Sequence, residues 1–494
     1  MITRNRIKFS EKQAALIWQQ VVGKELTSSE DELVSVIYPG RINGDNGPDF
    51  RDAVIVNKSH LTKGDVEVHV KSSDWYSHEH HADAEYNNVI LHVVMWHDCN
   101  SATLLQSGKP VPVLCLAKAL RHQAYLLPHQ LPCFQILDRV DRQTLEKLLN
   151  TAGEERFKQK AMHFQAEILR GVYPEQDEIP SRSLPWALDS SPSAQNDREG
   201  RTQNDRKRRT QKEEAGQVLF RGMMRALGYA KNTKPFEDLA DRMPLNCIES
   251  REGLALKQAL LLGTAGLLPS QRWPGKFAKG PVLSLSKEKE VQELEQIWQS
   301  AGKKVKTMNE DDWNLSHIYP NNSPVRRIVA QSYLLERYCE GKLLAGILQL
   351  VKEAPLPGGH RVLENGLTVT GDGYWRDHFD FDARSRTNPV LNTGRIKYGA
   401  LLGNSKAGEI IVNVILPFAF SWGELANEAK LTENAIELYR NYPKLAENCV
   451  THHMAKQLCL EDLSDLTACH QQGLIHIFRN YCREGRCSQC PLAG

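Results

Sequence analysis

The sequence predicts a mixed α+β protein, an α/β sheet domain over residues 1–120 followed by a mainly helical region. Three observations carry this. Segments with a period of two are confined to the first part of the chain. Asn87–Trp96 is a near-continuous apolar run of strand length, as expected of a central strand buried on both faces. From Leu120 the apolar spacing changes to that of helices, first in Arg142–Leu149 and Glu155–Leu169.

Taken in order, Ser10 and Gln13 read as a capping box opening a helix that runs to about Val22 and stops at Gly23, with Ala14, Ile17 and Val21 facing the sheet. Ile37–Gly47 is rich in turn formers and brings Arg41, Asp45 and Asp49 towards the mouth of a hairpin. The hairpin's first strand is Asp52–Val56. Asn57–Gly64 turns the chain into the second, which carries the most informative pattern in the sequence. There Val66, Val68 and Val70 alternate with Asp65, Glu67, His69 and Lys71, which predicts a dry face and a wet one. Such a hairpin brings Asp49 towards Glu67. Acids that hold a divalent cation beside a Lys and a His are what hydrolysis of a phosphodiester needs.

Downstream, His78, His80 and His81 lie close to Asp83 and Glu85. The run reads as a solvated loop, with metal or phosphate contact as the alternative. His92 sits inside the apolar strand and needs a buried partner, for which Glu67 or Asp74 is the natural candidate. Val111–Leu116 is the last short strand.

Residues 121–173 form a helical connection, and 174–215 read as a disordered linker with few large apolar residues. Within the linker, Arg206–Arg209 is a basic run whose neighbours Asp205, Glu213 and Glu214 favour a solvated tether. Residues 216–494 are then mostly helical. His378, Asp380 and Asp382 alternate in an aromatic-rich turn, which reads as packing rather than cation binding. Ile410–Pro417 is buried, helix or strand by period alone.

Charge is nearly balanced, 62 basic against 60 acidic residues, so no global field marks a nucleic-acid binder or argues against one. No apolar run is expected to span a bilayer, and Met1–Arg6 is not followed by the apolar core of a secretory signal. A cytoplasmic protein without membrane contact is therefore expected. Walker, Gly-x-Ser-x-Gly, His-Glu-x-x-His and dinucleotide motifs are missing from the sequence.

Eleven cysteines are scattered except for Cys482, Cys487 and Cys490. Their compact spacing reads as thiolate ligands to zinc or an iron–sulfur cluster. His476 as fourth ligand points to zinc, and Cys469 is the alternative that allows either. The layout is similar to the iron–sulfur loop of DNA glycosylases of the endonuclease III type, whose fourth, later Cys has no counterpart here.

Pro48-Asp49 on one strand and Glu67 on the next resemble the PD-(D/E)XK nuclease superfamily. The resemblance implies a nuclease-like sheet, a magnesium or manganese ion on Asp49 and Glu67, and a nucleic-acid substrate. His69 occupies the position of the superfamily's Lys, and Lys71 comes one strand repeat later, so either would orient or deprotonate the attacking water. A wider resemblance is to a bacterial family catalogued as domain of unknown function 2851. It is carried by Tyr38–Arg41, Gly47–Phe50, Asp65–His69, Ser72–Trp75, Asn87–Val94, Gln472–His476 and Cys487–Leu492, with an insertion near residues 175–215. The expected function is thus metal-dependent phosphodiester hydrolysis with Asp49, Glu67, His69 and Lys71 as site residues. The alternative is a catalytically degenerate nucleic-acid-binding or scaffold protein with a structural metal.

Overall fold

The computed structural model describes residues 10–22, 25–28, 32–57, 60–99, 101–121, 141–172, 197–229, 231–273, 288–301, 305–315, 322–381, 400–458, 460 and 466–492. Two compact units emerge. The first comprises residues 1–153, 447–466 and 470–494, the second residues 154–446 and 467–469. The class is α+β, as the sequence predicts.

In the first unit, helix α1 (Glu11–Trp18) opens with the expected Ser10–Gln13 capping box. A mixed sheet follows, built from β1 (Glu25–Thr27), β2 (Leu33–Tyr38), β3 (Arg41–Ile42), β4 (Phe50–Asn57) and β5 (His60–Lys71). The short helix α2 (Asp74–Ser77) leads through two tight turns to β6 (Val89–Trp96), the small hairpin β7 (Thr103–Leu104) and β8 (Pro110–Val111), and then β9 (Val113–Cys115). The strand order is β1-β2-β4-β5-β6-β9, with β3 paired to β4. The pair β4–β5 is antiparallel, whereas β5–β6 and β6–β9 are parallel. The sheet curls until β1 nears β9, close to a barrel.

One expectation is corrected here. The alternation in β5 predicts a wet face, yet Asp65, Glu67 and His69 are only 2%, 6% and 1% exposed. Both faces of the strand are covered. Val66 and Val68 pack with Ala14 and Trp18 of α1. On the opposite face, Val54, Val56 and Leu61 lie under Leu149, Leu474, Phe478 and Leu492. That arrangement also sets residues 470–494 on the sheet unit rather than at the end of the helical one. An apolar sheet face needs cover, and the C-terminal segment supplies it. Tyr38 meets Phe478 with ring centroids 5.0 Å apart, and Lys63 Nζ pairs with Glu484 Oε1 at 2.6 Å. Gly473 permits the close crossing, because a Cβ there would stand 2.2 Å from the Leu149 carbonyl oxygen.

The second unit is helical around one apolar core that runs from Phe157 to Cys469. Residues 174–196 of the expected linker lie outside the described residues. From Asp197 onward the expectation of disorder is corrected: Asp197–Leu227 is one helix. Its later turns bury Ala215, Leu219, Phe220, Met223 and Met224, and Arg209 pairs with Glu213 one turn on. Buried contacts at one end supply stability that the polar opening turns, with Gly200, Thr202 and Asn204, do not.

Ile410–Pro417 is helical, the middle of the continuous helix Asn404–Ala426 with a π turn at Ile411–Ile415. Among the described residues this one helix is long and apolar enough to cross a membrane, contrary to the sequence expectation. Its apolar window is 67% buried inside the unit, as in a core helix. Asp382 lies outside the described residues. His378 stacks on Tyr374, and Asp380 pairs with Arg272 at 2.6 Å, so this turn is packed as expected.

Candidate metal centre

The hairpin β4–β5 places Asp49 beside Glu67. The Asp49 backbone N–H donates to Glu67 Oε2 at 2.9 Å, and Asp49 Oδ2 accepts the Val68 N–H at 3.1 Å. Two carboxylates are thereby fixed on neighbouring strands by reciprocal bonds. A shift in register at Phe50–Ala53, with Asp52 at a φ of 60°, turns the chain so that this pairing is possible. The shift also lets Asp65 accept the Asp52 N–H at 3.1 Å and the Arg51 guanidinium at 2.8 Å. Asp65 is thus committed to the local fold rather than to the site.

Burial, and then the charge of Glu67, push the Asp49 carboxyl up to about 7.

Histidines crowd the same sheet face. His69 Nε2 lies 3.3 Å from Glu67 Oε1 and 3.1 Å from His78 Nδ1. His80 Nε2 also lies 3.3 Å from Glu67 Oε1. The candidate ligand atoms of His69, His78 and His80 all fall within 4.8 Å of one another. Behind them, His69 Nδ1 is 3.0 Å from His92 Nε2, and His92 Nδ1 is 3.1 Å from Thr103 Oγ1. Burial and then the neighbouring imidazoles push His69 down to about 2 and His92 down to about 3, so both stay neutral near pH 7.

The loop 74–88 closes over this face. Trp75 is fully buried and donates from Nε1 to the Leu104 carbonyl at 3.0 Å. Tyr86 stacks on His80 with centroids 3.9 Å apart, and its phenol is held above its ordinary range by burial and by Glu67 and Asp49.

The expected residues therefore divide. Asp49, Glu67 and His69 come together. Lys71 does not join them: its side chain is 57% exposed and its ammonium stands 3.8 Å from Asp98. The partner of His92 is neither Glu67 nor Asp74 but His69 and Thr103. Asp74 instead accepts the Lys71 N–H at 2.9 Å. His78 and His80 approach His69 and Glu67, with His78 itself exposed, whereas His81 turns towards Tyr76. Sequence reasoning missed Tyr86 and Thr103. Tyr86 lies only one residue beyond the His/Asp/Glu run, but Thr103 carries no local signal.

The C-terminal thiols are arranged differently from the expectation. Cys482 packs in an apolar cluster with its Sγ 3.9 Å from Met454 Sδ, and Cys490 borders the same cluster. Cys487 and Cys490 share a single tight turn. His476 is buried and meets Asn480 at 3.1 Å, and Cys469 lies in the core of the helical unit. Among the described residues, these groups form no cluster of three ligand atoms within 4.8 Å.

One family model, Protein of unknown function (DUF2851), matches residues 11–172 and 199–448. The chain belongs to that family. The match takes in the whole hairpin and histidine loop, and stops before the C-terminal cysteines. Searches of curated proteins and of solved structures returned no match.

Proposed function

We propose that this member of the DUF2851 family is a divalent-cation-dependent phosphodiesterase acting on nucleic acid. The observation that carries the reading is the reciprocal pairing of Asp49 with Glu67. Two carboxylates on adjacent strands, one of them held up to about 7 by burial and then by the charge of the other, are a donor set suited to Mg²⁺ or Mn²⁺. The antiparallel hairpin, followed by a crossover to the parallel strand β6, supports the resemblance to PD-(D/E)XK nucleases.

A bound cation would neutralise charge on the scissile phosphate and lower the pKa of an attacking water. The chain's own groups divide the remaining work. Asp49 and Glu67 hold the ion. His69, neutral and buried, orients through hydrogen bonds rather than by taking a proton. The loop 74–88 with Trp75 and Tyr86 limits water around the carboxylates.

Incubation of the purified protein with labelled DNA and RNA in Mg²⁺ and Mn²⁺ tests the reading. Cleavage lost in Glu67→Gln is the expected result. No cleavage of any strand type in either metal would refute it. The exposure of Lys71 and the imidazole in place of the superfamily's Lys favour a second reading, a nucleic-acid-binding or scaffold protein that keeps the metal without the chemistry. Metal binding and nucleic-acid retention without cleavage would select it.

A further inference from the structure

We propose that this site also holds a first-row transition-metal ion, bound by His69 Nε2, His78 Nδ1, His80 Nε2 and Glu67 Oε1. The inference shares Glu67 with the phosphodiesterase reading and rests on it for nothing else.

Spacing is the first argument. The separations His69–His78, His69–Glu67 and His80–Glu67 are 3.1, 3.3 and 3.3 Å. Ligand atoms bonded at about 2.0–2.1 Å to one tetrahedral ion stand about 3.3 Å apart. The two oxygens of Glu67 face different ways, Oε2 to the Asp49 N–H and Oε1 to the imidazoles.

Donor chemistry is the second. Imidazole nitrogens suit zinc, iron, copper and nickel, whereas Mg²⁺ and Ca²⁺ prefer oxygen alone.

The support behind the ligands is the third. The second ring nitrogen of a metal-bound His is ordinarily fixed by an outer partner. His69 Nδ1 is fixed by His92, and His92 in turn by Thr103. The His80 ring lies between His69 and Tyr86, roughly parallel to both. Its Nε2 is buried yet lacks an aligned hydrogen-bond partner. A nitrogen buried without a partner is costly, and a metal bond removes that cost. Between the two loop ligands, Glu79 holds a φ of 60°, a left-handed conformation that non-glycine residues rarely keep. That turn aims His78 and His80 at the strand from alternate positions, and strain of this kind concentrates where a site requires it.

The test uses full-length protein stripped by a chelator and loaded with Zn²⁺ or Co²⁺ alone. One equivalent per chain is expected, with imidazole and no sulfur scattering in the X-ray absorption spectrum. That measurement on the parent protein stays decisive even where a variant fails to fold. His78→Ala and His80→Ala should each sharply reduce affinity. Thr103→Val should weaken it by roughly 10–100-fold. No Zn²⁺ binding, sulfur scattering, or full affinity in the folded His78→Ala/His80→Ala double variant would each overturn the proposal. Zn²⁺ bound by imidazoles in a protein that cleaves no nucleic acid leaves this inference standing and removes the phosphodiesterase. Mg²⁺-driven cleavage that survives loss of His78 and His80, with no Zn²⁺ bound by the parent, does the reverse.

Discussion

Replacing Asp49 by Asn should stabilise the metal-free protein at pH 8, although Asp49 sits in the proposed active site. The substitution keeps size and shape, and the amide oxygen still accepts the Val68 N–H. What it removes is a charge facing Glu67. The rise of the Asp49 carboxyl from 3.8 to about 7 corresponds to about 4 kcal/mol. Asp49 is partly exposed, so screening leaves about 2 kcal/mol. The sign follows from linkage: the folded pKa is raised, so stability is full below about pH 4 and is lost as pH rises through about 7. The gain from Asn should therefore be about 2 kcal/mol at pH 8 and vanish by about pH 4. Urea unfolding followed by tryptophan fluorescence in chelator reports it, since Trp18 and Trp75 are buried in this unit. Saturating Mn²⁺ should reverse the order, because ligand at about 100 times its Kd adds about 2.7 kcal/mol to the protein that binds it. An Asn variant less stable than the parent in chelator at pH 8 would refute the reasoning and leave Asp49 as a purely structural acceptor.

Three further outcomes follow from the same structure. His69, His92 and His453 are held down to about 2, 3 and 4, so each contributes stability above about 6.5 that is lost as pH falls; at pH 5 the loss is about 2 kcal/mol per group, read by unfolding in chelator or by imidazole NMR. Gly473→Val should lower the stability of the sheet unit by at least about 1–3 kcal/mol, because its side chain would displace the backbone at Leu149, and a melt indistinguishable from the parent's would contradict the crossing. Burial and the neighbouring Cys487 hold the Cys490 thiol above its ordinary value, so mass-spectrometric mapping of alkylation should find Cys490 slower than the exposed Cys247 and Cys339.

The parts of the site readable from sequence were the local ones. Asp49 and Glu67 flank a hairpin whose turn residues and period are written within about twenty positions, and pairing follows from antiparallel geometry. The alternation in β5 was equally legible, but its meaning was not, because period two says which residues share a face and nothing about what covers it. The cover comes from residues 74–86 and from the segment after residue 470, which contacts the sheet only through the tertiary fold. Lys71 shows the same limit. Alternation puts it on the face of Glu67, while its place at the strand's end, beside Asp98, carries its head into solvent. The polar stretch at Asp197 misled because composition favours solvation there, whereas the packing of Phe220 and Met223 decides the helix.

The charges around Asp49 explain why a cation matters more here than in a site furnished with a lysine. Arg51 is committed to Asp65 at 2.8 Å, and Lys71 stands beside Asp98. His69 and His92 are neutral over the physiological range. Among the described residues, then, no ammonium or guanidinium is paired with Asp49 or Glu67. Two carboxylates on a mostly buried face, without a fixed positive partner, either share a proton or take up a cation. Burial, and then the charge of Glu67, raises Asp49 towards 7 in the metal-free chain. A divalent ion would abolish that rise by replacing proton with metal, so metal uptake at pH 6 should release close to one proton per ion and at pH 8 far less. Calorimetric titration in buffers of different ionisation enthalpy counts those protons. A release that does not depend on pH would mean that Asp49 is already ionised without metal, and the electrostatic case for a cation between these two acids would fall.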